Sequence, residues 1–174
     1  MTDTSAVEVR QAVRSDLPAI YRIEALSFDQ PWPINAFDAF LGKPAFLVAV
    51  GGGDVLGFGV ADLTPNHGAD IGHLKDLAVE PSSRGQGIGK RLLRSTLSRL
   101  TVAGAAVVKL EVRAGNDPAR ELYRAEGFRP LRQVPEYYDD GETAFVLALD
   151  MGTWESDDTD TTAEETADGD AGRS

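Results

Sequence analysis

The residues best suited to chemistry lie in one stretch, Leu77-Ala78-Val79-Glu80-Pro81-Ser82-Ser83-Arg84-Gly85-Gln86-Gly87-Ile88-Gly89-Lys90-Arg91-Leu92-Leu93. An apolar, strand-like run passes into a short loop rich in glycine and serine, then into an amphipathic helix with a basic face. Glycines at 85, 87 and 89 leave successive backbone N–H groups uncovered. The helix start adds unpaired donors and about half a positive charge. Such a concavity suits a pyrophosphate, with Lys90 or Arg91 offsetting its charge. The spacing disfavours the two commonest phosphate loops. Lys90 stands where a dinucleotide fingerprint needs its third glycine. In a P-loop reading, Arg84 takes the place of the first glycine and Arg91 that of the Ser or Thr. Taken alone, the stretch is also compatible with a turn that holds no ligand.

The elements around it alternate strands and helices. Val7 to Arg10 alternates apolar and polar residues, as a strand does. Ser15 is expected to cap a helix with Asp16 and Pro18 in its first turn, its buried face made by Leu17, Ile20, Ile23 and Leu26. Pro31 and Pro33 force a loop over 28–33, and 34–41 reads as a short second helix. Ala45 to Val50 and Val55 to Leu63 flank Gly51-Gly52-Gly53-Asp54 as a hairpin. Ile71 to Val79 reads as a central strand. Ile88, Leu92, Leu93, Thr96, Leu97 and Leu100 share one face of a helix. Ala106 to Val112 is the next strand. Asp117 is expected to cap a further helix with Pro118 at its first position, and Gly127 to stop it. An extended segment, a turn at Asp139-Asp140-Gly141 and a strand over 143–149 follow. The expectation is an α/β (α+β) fold: a mixed, mostly antiparallel sheet of six to seven strands flanked by about four helices.

The chain has 174 residues, a formal net charge of −11 and no cysteine. One domain is expected over 6–151, with a frayed start at 1–5 and an acidic, disordered tail at 152–174. The tail carries eight acidic residues and one basic, so most of the negative charge is a tail property. Without cysteine there is no disulfide framework, thiolate metal site or cysteine nucleophile. The acidic balance argues against nucleic acid and anionic membrane as partners. Neither a signal peptide nor an apolar run of membrane-spanning length is read, and a cytoplasmic location is expected. His67 and His73 are expected on loop and strand surface, and no metal site is expected.

Arg84-Gly85-Gln86-Gly87-Ile88-Gly89 resembles the R/Q-x-x-G-x-G/A motif of the GCN5-related N-acetyltransferases, with Arg84, Gly87 and Gly89 filling it. Asn116, Ala119, Leu122, Tyr123, Gly127 and Phe128 match the family's second signature, N-x-x-A-x-x-L-Y-x-x-x-G-F. The two occur in family order, and the likeness covers about 6–151. Leu110-Glu111-Val112-Arg113-Ala114-Gly115-Asn116, Phe28-Asp29-Gln30-Pro31-Trp32 and Tyr137-Tyr138-Asp139-Asp140-Gly141-Glu142 are similar to stretches of the RimI-type protein N-terminal acetyltransferases. Thr143 and Leu147 depart from that subfamily's Asp and Met. The strand His73-Leu74-Lys75-Asp76 departs too, its Lys-Asp pair being common in small-amine enzymes of the fold.

The resemblance implies acetyl-CoA as cofactor. Leu77, Ala78, Val79, Arg84, Gly85, Gln86, Gly87, Ile88, Gly89, Lys90 and Asn116 would hold it. Phe28, Trp32, Tyr137 and Tyr138 would contact the acceptor. Direct transfer to an amine needs a base and a proton for the departing thiolate. Glu111, acting through water, is the expected base and Tyr123 the expected acid. A backbone N–H over 77–79, Val79 foremost, would steady the carbonyl oxygen. A bulge would help splay the strands around the pantetheine arm. The expected acceptor is a protein or peptide α-amine. A small-molecule amine is the first alternative, and a non-catalytic acyl-CoA-binding module the second. The expected assembly is a monomer or weak homodimer.

Overall fold

Among the described residues, seven strands form one sheet: β1 (Glu8–Gln11), β2 (Phe46–Gly51), β3 (Asp54–Thr64), β4 (Asp70–Val79), β5 (Ala105–Arg113), β6 (Arg129–Val134) and β7 (Ala144–Asp150). Their spatial order is β1-β2-β3-β4-β5-β7-β6, and only the β4–β5 pair is parallel. Four α-helices among the same residues flank the sheet: α1 (Leu17–Ser27), α2 (Ile34–Asp38), α3 (Ile88–Val102) and α4 (Asp117–Glu126). This computed structural model describes residues 6–156. The expected frayed segment 1–5 and the expected tail from 157 onward lie outside the described residues. Within 152–156, Trp154 is docked. Its indole N–H donates to Glu126 at 2.9 Å, and its ring lies 5.3 Å from the Arg94 guanidinium.

Alternation along the strands divides the core between the two faces. Phe46 and Val48 of β2, with Phe58 and Val60 of β3, pack against Ile20, Ile23 and Phe37 of α1 and α2. Leu47, Ala49 and Leu56 face Ile88 and Leu92 of α3 instead. Further along α3, Leu93, Leu97 and Leu100 meet Val108 and Leu110 of β5 and Tyr123 of α4. The expected apolar face of α3 is therefore the buried one, at up to about 3 kcal/mol for each fully buried leucine.

Three local expectations need correction. Ser15 does not cap α1. It lies inside a single 3₁₀ turn, Arg14–Asp16, that precedes the helix. Leu26 is 57% exposed, because α1 presents only Leu17, Ile20, Ile23 and Glu24 to the sheet. Asn116, not Asp117, caps α4, its side chain accepting from the Ala119 N–H at 3.3 Å. The cap must sit one residue before the first helical position, and Pro118 tolerates the second as well as the first.

Asp16 does the work expected of a cap in another way. Its carboxylate accepts two bonds from Arg10, at 2.8 and 3.0 Å, and one from the Val13 N–H at 2.9 Å. The Arg10 hydrogen bond holds the Asp16 carboxyl below its usual range. A lowered folded-state pKa adds stability above the unfolded value and loses it as pH falls through the folded one. Asp16→Asn is expected to cost about 1–2 kcal/mol near neutral pH, discounted for the partly exposed Arg10. The deficit relative to wild type should shrink below about pH 4. Melting curves across pH 3 to 7, taken as roughly that window, test this.

Candidate active site

The site begins where two strands part. β4 and β5 are paired only from Asp70↔Ala105 to His73↔Lys109. Beyond that point β4 continues along β3 as far as Val79, and β5 along β7 as far as Arg113. The register of β4 against β3 slips between Val60↔Asp76 and Ala61↔Leu74, so Lys75 is the bulged residue. A bulge bends its strand, and this one lies where β4 leaves β5. The expected splay and bulge are both present.

A cleft along β4 and the start of α3 is lined by Leu77, Ala78, Val79, Arg84, Gly85, Gly87, Ile88, Gly89 and Asn116. Gly85 and Gly87 have φ of +79° and +81°, which an L side chain adopts only with strain. Gly87 caps α3 without a side chain, and the first helical bond runs from the Arg91 N–H to the Gly87 carbonyl. The Ile88, Gly89 and Lys90 N–H groups therefore have no partner within the helix. The Arg84 guanidinium turns inward, donating to the Val79 carbonyl at 3.0 Å and the Ser27 hydroxyl at 3.1 Å. Gln86 does not line this cleft. Lys90 lines a separate cavity with Arg94, Arg129 and Trp154. The Glu80 N–H bonds to Leu56 of β3. Alternation then turns the Val79 N–H the other way, into the gap.

A second cavity opens across the gap, between β4, β5 and the α1–α2 loop. Phe28, Trp32, Glu111 and Tyr138 line it, together with Glu24, Lys75, Asp76 and Arg113. Phe28, Leu77, Asn116, Ala119 and Tyr123 line both cavities. Tyr123 thus stands at their junction, 7% exposed, its ring 5.7 Å from Phe128. Burial pushes its phenol far above the ordinary range, so it keeps its proton. Tyr137 is at the rim, 49% exposed, its ring edge-on to Tyr138 at 4.9 Å. It is the one expected acceptor residue that does not line the cavity. Burial pushes the Tyr138 phenol up to about 12.

His73 corrects the expectation of a plain surface histidine. Its Nε2 lies 2.6 Å from a Glu111 carboxylate oxygen, and its Nδ1 lies 3.5 Å from the Lys75 ammonium. An ammonium can only donate, so Nδ1 accepts and Nε2–H faces Glu111. That bond holds the Glu111 carboxyl below its usual range, helped by the charge of Lys75. The sequence separates the pair by 38 positions, and only the parallel register aligns them. Arg113, Asp140 and Glu142 were also missed. Arg113 donates to Asp140 and Glu142 at 2.8 and 2.9 Å, and lies 4.0 Å from the Tyr138 ring centre. Glu142 accepts the Gly115 N–H at 2.8 Å. This network ties the hairpin turn to the end of β5.

A two-cavity site joined through a gap in the sheet narrows the choice of fold family, and comparison with known proteins settles it. The model of the acetyltransferase (GNAT) family matches residues 17–128. The chain belongs to that family. It is 35% identical over 158 residues to the N-alpha-acetyltransferase RimI of Mycobacterium tuberculosis, covering 86% of this chain and 96% of that one. It is 32% identical over 139 residues to the [ribosomal protein bS18]-alanine N-acetyltransferase of Escherichia coli, with 78% and 91% covered. The crystal structure of the E. coli ribosomal-protein-S18-alanine N-acetyltransferase superposes with a TM-score of 0.72 at 28% identity, covering 88% and 97%. Ard1 from Thermoplasma volcanium superposes with a TM-score of 0.77 at 26% identity, covering 83% and 97%. The protein is a RimI-like, acetyl-CoA-dependent GNAT acyltransferase. The reading as a non-catalytic acyl-CoA-binding module falls away. The donor cleft fits that cofactor: β-carbons built on Gly85 and Gly87 meet nothing within 4 Å, so backbone donors lie open to a phosphate. No helix among the described residues is long and apolar enough to cross a membrane.

Proposed function

We propose that this GNAT enzyme acetylates the α-amino group of a protein or peptide N-terminus by direct attack. One observation carries the reading. Tyr123 joins a glycine-lined donor cleft to an acceptor cavity that has Glu111 on its wall and Phe28 and Trp32 beside it. The RimI and bS18-alanine relatives, whose names state N-terminal or alanine acetylation, support it.

Bound acetyl-CoA supplies the acetyl thioester. On this reading the Gly85–Gly89 loop and the first turn of α3 hold its phosphates, and Leu77 to Val79 align its arm by backbone pairing. The Val79 N–H donates to the acyl oxygen. Glu111 accepts the amine proton through water. A lowered pKa makes Glu111 a weak base, and a weak base suffices. A free α-amine has a pKa near 8, and nitrogen becomes far more acidic once it bonds to the acyl carbon. Tyr123 returns a proton to the sulfur. Tyr123→Phe keeps the ring and its packing, so kcat should fall at least about tenfold with CoA affinity unchanged. Stopped-time thiol release and calorimetry check the two halves.

Incubation with acetyl-CoA and short peptides, beside a panel of polyamines, amino acids and aminoglycosides, tests the acceptor class. Thiol release with peptides is expected. Release with the small amines alone would overturn the reading. The small-amine alternative draws on one observation, the acidic Asp76 beside Lys75 on the cavity wall.

A further inference from the structure

Three carboxyl groups line the acceptor cavity: Glu24, Asp76 and Glu111. Two of them answer each other. Asp76 keeps its proton well above the usual carboxyl range, chiefly because burial disfavours its charge, and it hydrogen-bonds to Glu24. Glu111 differs. Its carboxyl is held below the usual range, first of all by the hydrogen bond from His73. His73 lines neither cavity, so anything it contributes to the reaction passes through Glu111.

The sheet sets this contact. His73 is the last residue of β4 paired with β5, opposite Lys109, and Glu111 follows Lys109 by two positions on the same face. Past that register the strands part. A long glutamate side chain at such a gap has much rotamer freedom. The 2.6 Å bond from His73 Nε2 to the Glu111 Oε2 restrains it. Behind His73 the polar row continues. The Lys75 ammonium lies 3.5 Å from its Nδ1 and 3.8 Å from Asp62, the β3 register partner of His73. Lys75 thus keeps Nδ1 as the acceptor and leaves the ring N–H facing Glu111. Stability alone is a poor reason for this row. The His73 and Glu111 side chains are 32% and 27% exposed, and ion pairs that open to water add little.

We propose that His73 is a positioning residue for acetyl transfer: it commits Oε2 of Glu111 and so turns the other carboxylate oxygen to the water that carries the amine proton. This rests on Glu111 being the proton acceptor of the reading above. As the nitrogen bonds to the acyl carbon, the water takes one proton from it and passes one to Glu111. The His73 N–H stays on its ring throughout. A base oriented by a third group is the general pattern for such proton transfers.

The test uses the full-length protein, acetyl-CoA and short peptides, with the small-amine panel as a parallel arm. His73→Leu removes the donor and keeps a branched side chain, whereas His73→Gln keeps an N–H within reach of Glu111. His73→Leu is expected to lower kcat at least about tenfold, with acceptor KM and calorimetric CoA affinity unchanged within about twofold. His73→Gln should return kcat to within about threefold of wild type. In a Glu111→Gln background, His73→Leu should change kcat by less than about twofold, because no carboxylate is left to position. Melting temperatures of the single variants should stay within about 4 °C of wild type. Full kcat in His73→Leu overturns the inference and leaves the N-terminal reading intact. So does a loss that recurs at full size in the Glu111→Gln background, or one matched by lost CoA affinity. The expected pattern seen with small amines alone keeps His73 in its role and overturns the N-terminal reading. No turnover of any amine overturns both.

Discussion

Glu111→Gln is expected to lower kcat on an accepted amine by about a hundredfold, the ordinary scale for losing a positioned proton acceptor. The substitution is nearly isosteric, and the amide oxygen still accepts the His73 Nε2–H bond that spans 2.6 Å in the wild type. Packing should therefore survive. CoA affinity should not change, because Glu111 lines the acceptor cavity and not the donor cleft. The pH profile gives a second readout. The His73 bond holds the Glu111 carboxyl low, so the carboxylate persists below the range where an exposed glutamate would titrate. The wild-type rise of kcat/KM with pH should therefore follow deprotonation of the substrate amine, near pH 8 for a free α-amine. The residual rate of the variant should rise over the same range, since the amine remains. Steady-state thiol release from pH 5 to 9, roughly the span between these titrations, with calorimetric CoA binding, tests all of this. A variant with full activity would remove Glu111 from the mechanism.

Gly87→Glu should abolish detectable CoA binding, a loss of at least about a hundredfold. Two effects add. Gly87 has φ of +81°, a conformation costing an L residue about 1–2 kcal/mol. The new carboxylate would also compete for the N–H groups at the start of α3 that have no partner within the helix, and repel the phosphates they are proposed to hold. A β-carbon at Gly87 meets no atom within 4 Å, so the fold should tolerate the change. Gly87→Ala separates the terms, since it carries the strain without the charge and should lose only about tenfold. Calorimetry with CoA, beside thermal melts of both variants, decides between loss of binding and loss of fold.

Much of this architecture is legible without coordinates, and the reason is local. The turn before α3 is written in Gly85 and Gly87, whose left-handed backbone favours glycine, and the helix after it in a 3.6-residue apolar period. Tyr123 and Asn116 sit in one short signature, so their shared place at the gap follows from a single helix. The hairpins follow from glycine turns between apolar runs. Local chemistry misleads where two residues compete for one role, as at Ser15 and at Asp117 beside Asn116, and where packing decides which face is covered, as at Leu26.

What the sequence determined by itself is the set of elements and the glycine-rich turn before α3, because each depends on neighbours along the chain; Glu111 and Tyr123 became candidates through the family resemblance. What only the tertiary structure decided is which side chains meet across elements. His73 reaches Glu111 because β4 and β5 run parallel and then part. Glu24 reaches Asp76 because α1 crosses β4 on the acceptor side. Neither contact leaves a periodicity or spacing in the sequence. A buried carboxylate on an apolar helix face and a charged residue in a central strand are the marks such pairs leave, and each gains meaning only when packing removes the water between them.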